Sequence, residues 1–303
     1  MRVSADFLYE LDRLRQSNYK NKILLLALLV VFIIFSVTKG SSAYNSDYIA
    51  RISIDDQIRD DVFAINSLNE IAKDEKISAL IVHINSPGGS PYMSEEIFRS
   101  LRRISDAAKP VVVVIGSMAA SGGYMVALAG DQIFAGETSI TGSIGAIMQT
   151  IDASVLADKL GVKIKNYSYP AMKGEPNITE KTPPLAQAIL NDVAVDVYES
   201  FLNMVVVRRN LLKEDLLQFA DGRVYTGRQA LKLKLIDRIG GEFEALEWLY
   251  DEKHLSKDST IRDYSFENQG YGVNRFIMGA SRMVLNALSQ NVTNDLTNLL
   301  KLN

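Results

Sequence analysis

The sequence predicts an α/β protein built on a mostly parallel sheet. Two short runs of β-branched and aliphatic residues, at 79–84 and 111–115, alternate with segments of helical spacing. Each run leads into a glycine-rich turn, at residues 85–89 and 116–124. Such alternation is typical of βαβ units, whose strands run parallel.

The remaining elements follow in chain order. Residues 48–54 alternate apolar and polar side chains, which predicts the first strand. Apolar residues at helical intervals predict helices over 60–74, 94–107 and 185–207, with a further helix over 120–129 that starts at the second glycine turn. Residues 132–135 form a short predicted strand, and Thr226 is a suitable N-cap for one more helix.

Composition excludes several classes of function. The chain has 303 residues, enough for one large domain or two small ones with a sizeable core. A formal charge of −3 gives no indication of nucleic-acid binding. Because there is no cysteine, disulfides, thiolate metal sites and a cysteine nucleophile are excluded.

The N-terminal region contains one segment unlike the rest. Residues 23–37 are apolar except for Ser36, and with their flanks they approach the ~20 residues that span a bilayer. We expect a transmembrane anchor over 23–40. A signal peptide cleaved near residues 41–43 is the alternative, and a buried helix fits least because the segment has no polar face.

Charge and composition predict the remaining boundaries. Four basic residues lie within 13–22, so the positive-inside rule places residues 1–22 in the cytoplasm. Residues 41–47 are then a tether and 48–250 the main domain. Residues 251–274 look like a polar, irregular linker, and an amphipathic helix follows within 251–303.

Ser121 is the first candidate for chemistry. It lies on a small-residue turn after a buried strand, where a hydroxyl and nearby backbone N–H groups can face one point, as acyl transfer requires. The carboxyl ends of neighbouring parallel strands meet at one edge, so both glycine turns are expected to face one cleft. A serine before a helix also commonly serves as its N-cap.

A serine nucleophile needs a base, and the two histidines do not supply one convincingly. His254 lies in a polar tail, and His83 lies inside a predicted strand. A lysine is the alternative base, provided that it is neutral. Lys173 lies in a loop between Pro170 and Pro176, where composition alone indicates an ordinary surface lysine.

Four motifs that follow one another along the chain bear on the role of Lys173, because together they resemble one family. They are Asn-Ser-Pro-Gly-Gly at 85–89, Gly-Ser-Met-Ala-Ala-Ser-Gly-Gly-Tyr at 116–124, Thr-Gly-Ser-Ile-Gly at 141–145 and Asp-Gly-Arg-Val-Tyr-Thr-Gly at 221–227. From about residue 49 to residue 249 the chain resembles the SppA-type signal peptide peptidases, in their short bacterial form. The resemblance implies a ClpP/crotonase-like repeated ββα superhelix after one transmembrane helix.

The resemblance also implies roles for individual residues. Ser121 matches the nucleophile, Lys173 the general base and Ser143 the serine that orients the lysine. Backbone N–H groups around Gly88 or Gly89, and that of Gly122, would form the oxyanion hole; no metal and no cofactor is implied. Two positions depart from the family pattern: a histidine at 83 where relatives often carry arginine, and a methionine at 125 where an aromatic residue is frequent.

The implied partners are peptide substrates such as signal peptide remnants, the bacterial inner membrane and further copies of the chain. The family resemblance predicts an octamer-like ring in which the lysine reaches the serine across a subunit interface. It also predicts a catalytic domain on the extracytoplasmic, periplasmic side of the membrane. Two other functions stay open: a crotonase-like acyl-CoA-binding enzyme and an inactive membrane scaffold.

Overall fold

Strands at the centre of the computed structural model form one sheet within residues 47–266, the part of the chain that the structure describes. They are β1 (Tyr48–Asp55), β2 (Ile77–Ser86), β3 (Val111–Ala120), β4 (Gln132–Ala135), β5 (Ile140–Gly142), β6 (Val224–Thr226), β7 (Arg238–Ile239) and β8 (Thr260–Tyr264). The sheet order is β6-β5-β3-β2-β1-β8, and β4 pairs with β3 and β7. All pairs are parallel except β5 with β6. The predicted α/β class with a mostly parallel sheet is confirmed.

Helices connect these strands. They are α1 (Val62–Lys73), α2 (Pro91–Asp106), α3 (Gly122–Ala127), α4 (Ser154–Lys159), α5 (Pro184–Arg209), α6 (Lys213–Leu216), α7 (Gly227–Lys232) and α8 (Glu242–Glu252). Side chains cap several N-termini, and the N-cap that the sequence predicts at Thr226 is confirmed. The Thr226 hydroxyl accepts the Gln229 N–H while the Gln229 side chain accepts the Thr226 N–H, a capping box that stabilises α7 by about 1 kcal/mol.

The strand β3 is longer than the sequence predicts, and it divides between two partners. Residues Val112–Ile115 pair with β4, whereas Met118–Ala120 pair with β5. Gly116 and Ser117 suggest a turn. The chain nevertheless stays extended, because Ala119 pairs with Ser86 of β2 on one side and with Thr141 of β5 on the other. The strand therefore ends at Ala120, directly before Ser121.

The sheet buries a core on each face. The larger core joins the strands to α1, α2, α3 and the second half of α5, with Leu68, Leu101 and Phe201 fully or almost fully buried. The smaller one packs Trp248 and Leu249 of α8 against the opposite face. Because successive strand residues point to opposite faces, Val82 and Ile84 enter the larger core while Ile81 enters the smaller.

The interpretation of residues 251–274 as an irregular linker is wrong over part of that range. Helix α8 extends to Glu252, and residues 260–264 form β8, which pairs in parallel with β1. The segment 260–264 is short and mostly polar, so its local pattern does not indicate the strand, which is stabilised by pairing with β1 and by the packing of Ile261 and Tyr264.

The predicted anchor over residues 23–40 and the predicted C-terminal helix both lie outside the described residues. All described residues except Asp47 belong to one unit that begins at Tyr48. Between residues 47 and 266 the structure contains no helix that is both long and apolar enough to span a bilayer.

Candidate active site

Two backbone turns meet at the carboxyl edge of the sheet. One follows β2 and contains Gly88 and Gly89; the other follows β3 and contains Ser121 and Gly122. A β-carbon on Gly88 would lie 2.6 Å from the Gly122 nitrogen and 2.9 Å from the Ser121 β-carbon. Gly88 also has φ of 101°, so glycine meets both the steric and the conformational requirement there.

Ser121 has an unusual backbone conformation. Its φ of 52° and ψ of −121° place a non-glycine residue in a sparsely populated region, between the end of β3 and the start of α3. The Ser121 N–H donates to the Gly142 carbonyl at 2.9 Å, and the Ser121 carbonyl accepts the Met125 N–H at 2.9 Å. A strained serine on a strand-to-helix turn is the arrangement that exposes a nucleophilic hydroxyl.

The alternative role of Ser121 as a helix cap has no support in its contacts. The Ser121 side chain makes no capping hydrogen bond to α3. Ser121 instead lines a cavity.

Backbone donors converge beside this hydroxyl. A β-carbon on Gly122 would lie 3.2 Å from the Gly89 nitrogen, so these two peptide groups are neighbours. Neither N–H has an acceptor within residues 47–266. The Gly88 N–H instead donates to the Ser86 hydroxyl at 3.1 Å. Of the two glycines that the sequence offers, Gly89 is therefore the one with a free donor next to Gly122.

Ser143 lies beside Ser121 because β5 pairs with the end of β3. Ala120 is opposite Gly142, so the next residue of each strand is a serine at the same edge. Ser143 has φ of 51°, and its N–H donates to the Arg223 carbonyl at 2.8 Å. Both serines line the same cavity.

The cavity has a volume of about 1160 Å³ and an apolar floor. The buried apolar side chains in its lining are those of Met125, Ile144, Phe201 and Ala220. A space of this size and character accommodates several residues of an apolar peptide.

No basic side chain lines this cavity within the described residues. Its two titratable lining residues are Tyr198 and Asp221. Burial raises the pKa of the Tyr198 phenol, with Glu199 and Asp221 adding to the effect, and its hydroxyl donates to the Ala220 carbonyl. Hydrogen bonds from Arg223 lower the pKa of the exposed Asp221. Neither group is suited to remove a proton from a serine at neutral pH.

Lys173 lies on an exposed loop and is not among the residues that line the cavity. Its N–H donates to the Pro170 carbonyl at 2.9 Å in a local turn. The structure therefore brings Ser121, Ser143, Gly88, Gly89 and Gly122 together but does not bring Lys173 to them within one chain.

His83 is excluded as the base by its place in the sheet. It faces the α8 side, where its Nε2 lies 2.6 Å from the Glu242 carboxylate. Arg51 donates to the same carboxylate at 2.8 Å. This network lies on the opposite face from α3, which Ser121 precedes.

Two arginines hold the other end of α3, a feature that the sequence did not suggest. The Arg208 guanidinium donates to the carbonyls of Leu128 and Gly130, at 2.7 and 2.9 Å. Arg102 donates to the Ala129 carbonyl at 3.0 Å and to Asp131 at 2.8 Å. These contacts satisfy the carbonyls that follow the helix, and thereby fix the segment that starts at Ser121.

Comparison with known sequences agrees with this geometry. A sequence model of peptidase family S49 matches residues 103–256, and one of the Clp protease family matches residues 42–141. The chain belongs to peptidase family S49. The predicted resemblance to SppA-type peptidases is thus confirmed, and the Clp protease match is consistent with the mostly parallel sheet.

Three relatives illustrate the similarity. A candidate signal peptide peptidase SppA of Enterococcus faecium is 33% identical over 207 residues, 68% of this chain and 60% of the relative. Protease 4 of Haemophilus influenzae is 31% identical over 271 residues, 86% of this chain and 40% of the relative. The chloroplastic serine protease SPPA of Arabidopsis thaliana is 29% identical over 187 residues, 60% of this chain and 27% of the relative. The matched region thus spans less than two thirds of each of these relatives.

Proposed function

We propose that this chain is a membrane-anchored serine endopeptidase that cleaves signal peptide remnants or other hydrophobic peptides. The observation that carries the proposal is the Ser121 turn. Within the part of the chain that the structure describes, a strained serine whose hydroxyl makes no hydrogen bond lies beside two backbone N–H groups without an acceptor, those of Gly89 and Gly122. This is the minimum that acyl transfer needs from the enzyme besides a base.

The reaction would proceed through an acyl-enzyme. The Ser121 oxygen attacks the peptide carbonyl carbon while its proton passes to the neutral Lys173 amine. The carbonyl oxygen becomes an oxyanion that accepts hydrogen bonds from Gly89 and Gly122. The C–N bond then breaks, and the lysine ammonium gives its proton to the leaving amine. A water molecule next loses a proton to the lysine and attacks the acyl carbonyl, and the proton returns to the Ser121 oxygen as the carboxylic acid leaves.

The base would come from a neighbouring subunit of an octamer-like ring. Two observations support this assembly: the described residues that line the cavity of one chain include no basic side chain, and Lys173 lies on an exposed loop. Apolar side chains in the segment that precedes this loop along the chain are also exposed, including Ile147, Val155 and Leu160, each more than 65% accessible. An exposed apolar surface of this kind is typical of a subunit interface. Within the assembled site Ser143 would orient the lysine amine, and the apolar floor would favour its neutral form.

The substrate class follows from the cavity and from the family. The floor formed by Met125, Ile144 and Phe201 matches apolar side chains, which dominate the hydrophobic regions of signal peptides. The relative named signal peptide peptidase SppA supports the same class. A ClpP/crotonase-like superhelix would carry this site, anchored by residues 23–40 in the bacterial inner membrane with the catalytic domain on the periplasmic side.

Mixing two inactive variants of the full chain tests the proposal. Ser121→Ala and Lys173→Ala should each abolish hydrolysis of an internally quenched apolar peptide. Random co-assembly of the two in equal amounts should restore about a quarter of the wild-type activity, because that share of neighbouring pairs would join an intact serine to an intact lysine. Full activity of either single variant would contradict the Ser/Lys pair, and no recovery on mixing would contradict a lysine supplied by the neighbour.

A further inference from the structure

Ser86, at the end of β2, is a serine with no accessible surface. The preceding residues Val82 and Ile84 of the same strand enter the larger core. A buried hydroxyl in such surroundings is unfavourable unless it is hydrogen-bonded. Its partner therefore indicates what the residue does.

The Ser86 hydroxyl accepts the N–H of Gly88, two residues later, at 3.1 Å. This bond removes one of the two glycine N–H groups from the oxyanion site. The N–H of the next peptide group, that of Gly89, lies beside Gly122 and has no acceptor among residues 47–266. The hydroxyl thus selects which glycine of the turn presents a donor to the substrate.

Ser86 also contacts the turn that carries the second donor. A β-carbon on Gly123 would lie 2.8 Å from the Ser86 carbonyl oxygen and 3.4 Å from the Ser86 β-carbon. Ser86 is also paired with Ala119, two residues before the nucleophile. The side chain and backbone of Ser86 therefore contact both turns of the oxyanion site, the one that carries the Gly89 N–H and the one that carries the Gly122 N–H.

We infer that Ser86 is a positioning residue, whose hydroxyl fixes the Gly88–Gly89 peptide so that Gly89 and Gly122 donate together to the oxyanion. The inference rests on the proposed peptidase function. Ser86 is not among the residues lining the cavity, and it acts through the backbone of the turn. Without its hydroxyl the buried Gly88 N–H would have no acceptor, and the turn would no longer be held in one orientation.

The test is kinetic and uses the purified full chain with an internally quenched apolar peptide. In Ser86→Ala, kcat should fall roughly tenfold, less than the 10²–10³ that complete loss of an oxyanion donor costs, while KM stays within about twofold. A peptide aldehyde adds to the serine and places its oxygen in the oxyanion position, so its inhibition constant should rise by a similar factor. Ser86→Cys retains a weak acceptor of similar shape and should give an intermediate kcat.

Ser100→Ala is the matched control. Ser100 is also a buried serine with one hydrogen bond, which it accepts from the Arg103 guanidinium, but it lies in α2 away from the cavity. This variant should keep its kcat even where its melting temperature falls.

Two outcomes would overturn the inference: an unchanged kcat in Ser86→Ala, or an equal loss in Ser100→Ala. If Ser86→Ala does not fold, the cysteine variant decides by the same comparison of kcat, KM and aldehyde affinity. An inactive wild-type chain would instead refute the proposed peptidase function, so the two failures are distinguishable.

Discussion

Replacing Gly88 by alanine would introduce a methyl group into the contact between the two turns of the site. The added carbon would lie 2.6 Å from the Gly122 nitrogen and 2.9 Å from the Ala120 carbonyl oxygen. Normal carbon contacts begin at about 3.5 Å, so the turns must separate by roughly 1 Å. A displacement of that size between a nucleophile and its donors costs on the order of 10²-fold in rate, or about 2.7 kcal/mol of activation free energy.

The assay compares kcat on the quenched peptide with the melting temperature of each variant. Two glycine variants serve as controls. Gly161→Ala also has positive φ, 69°, but has nothing within 4 Å, so it measures backbone strain alone. Gly116→Ala has its nearest atom at 3.5 Å, an ordinary contact. A steric cause would be ruled out if Gly88→Ala retained kcat within threefold of wild type, or if Gly161→Ala lost as much activity as Gly88→Ala.

Three further changes have defined outcomes. Burial raises the pKa of Asp131, but hydrogen bonds from Val111, Ser105 and Arg102 outweigh burial and lower it overall. This stabilisation is present above the unfolded pKa of about 3.9 and is lost as pH falls through the lower folded value. In urea unfolding, Asp131→Asn should therefore have a lower free energy of unfolding than wild type at pH 7, and this difference should narrow below about pH 4. A difference that stays constant with pH would contradict this. Met125→Phe fills part of the cavity floor. Cleavage of a peptide library should therefore shift toward smaller apolar residues, whereas an unchanged cleavage profile would place Met125 outside the specificity pocket. Tyr124→Phe leaves the buried Leu235 carbonyl without the hydroxyl that donates to it at 2.8 Å. Chemical denaturation should show that the free energy of unfolding falls by about 1–3 kcal/mol. An unchanged free energy of unfolding would mean that water replaces the hydrogen bond.

Local patterns predicted most of the central fold. The β-branched run at 111–115 and the helical spacing at 94–107 each specify their own structure: β3 begins at Val111 as predicted, and α2 is observed close to its predicted bounds. The strand β8 and the extension of β3 through Ser117 were missed, because pairing with distant residues outweighs local polarity at both places.

The sequence likewise predicted part of the candidate site and not the rest. The motif order indicated Ser121 and Ser143, and strand pairing explains why two serines 22 residues apart become neighbours. The choice between Gly88 and Gly89 was not predictable, since it depends on a hydroxyl that accepts one N–H and leaves the other free. The place of Lys173 cannot follow from one chain if a second subunit completes the site.

The central claim is that Ser121 is a nucleophile activated for acyl transfer, and covalent labelling tests it most directly. The full chain is treated with a fluorophosphonate, which reacts with activated serines, and the modified peptide is identified by mass spectrometry. We expect a single adduct on Ser121 that disappears in Ser121→Ala and weakens strongly in Lys173→Ala. An unlabelled wild-type chain that nevertheless hydrolyses peptides, or an adduct that persists in Ser121→Ala, would contradict it.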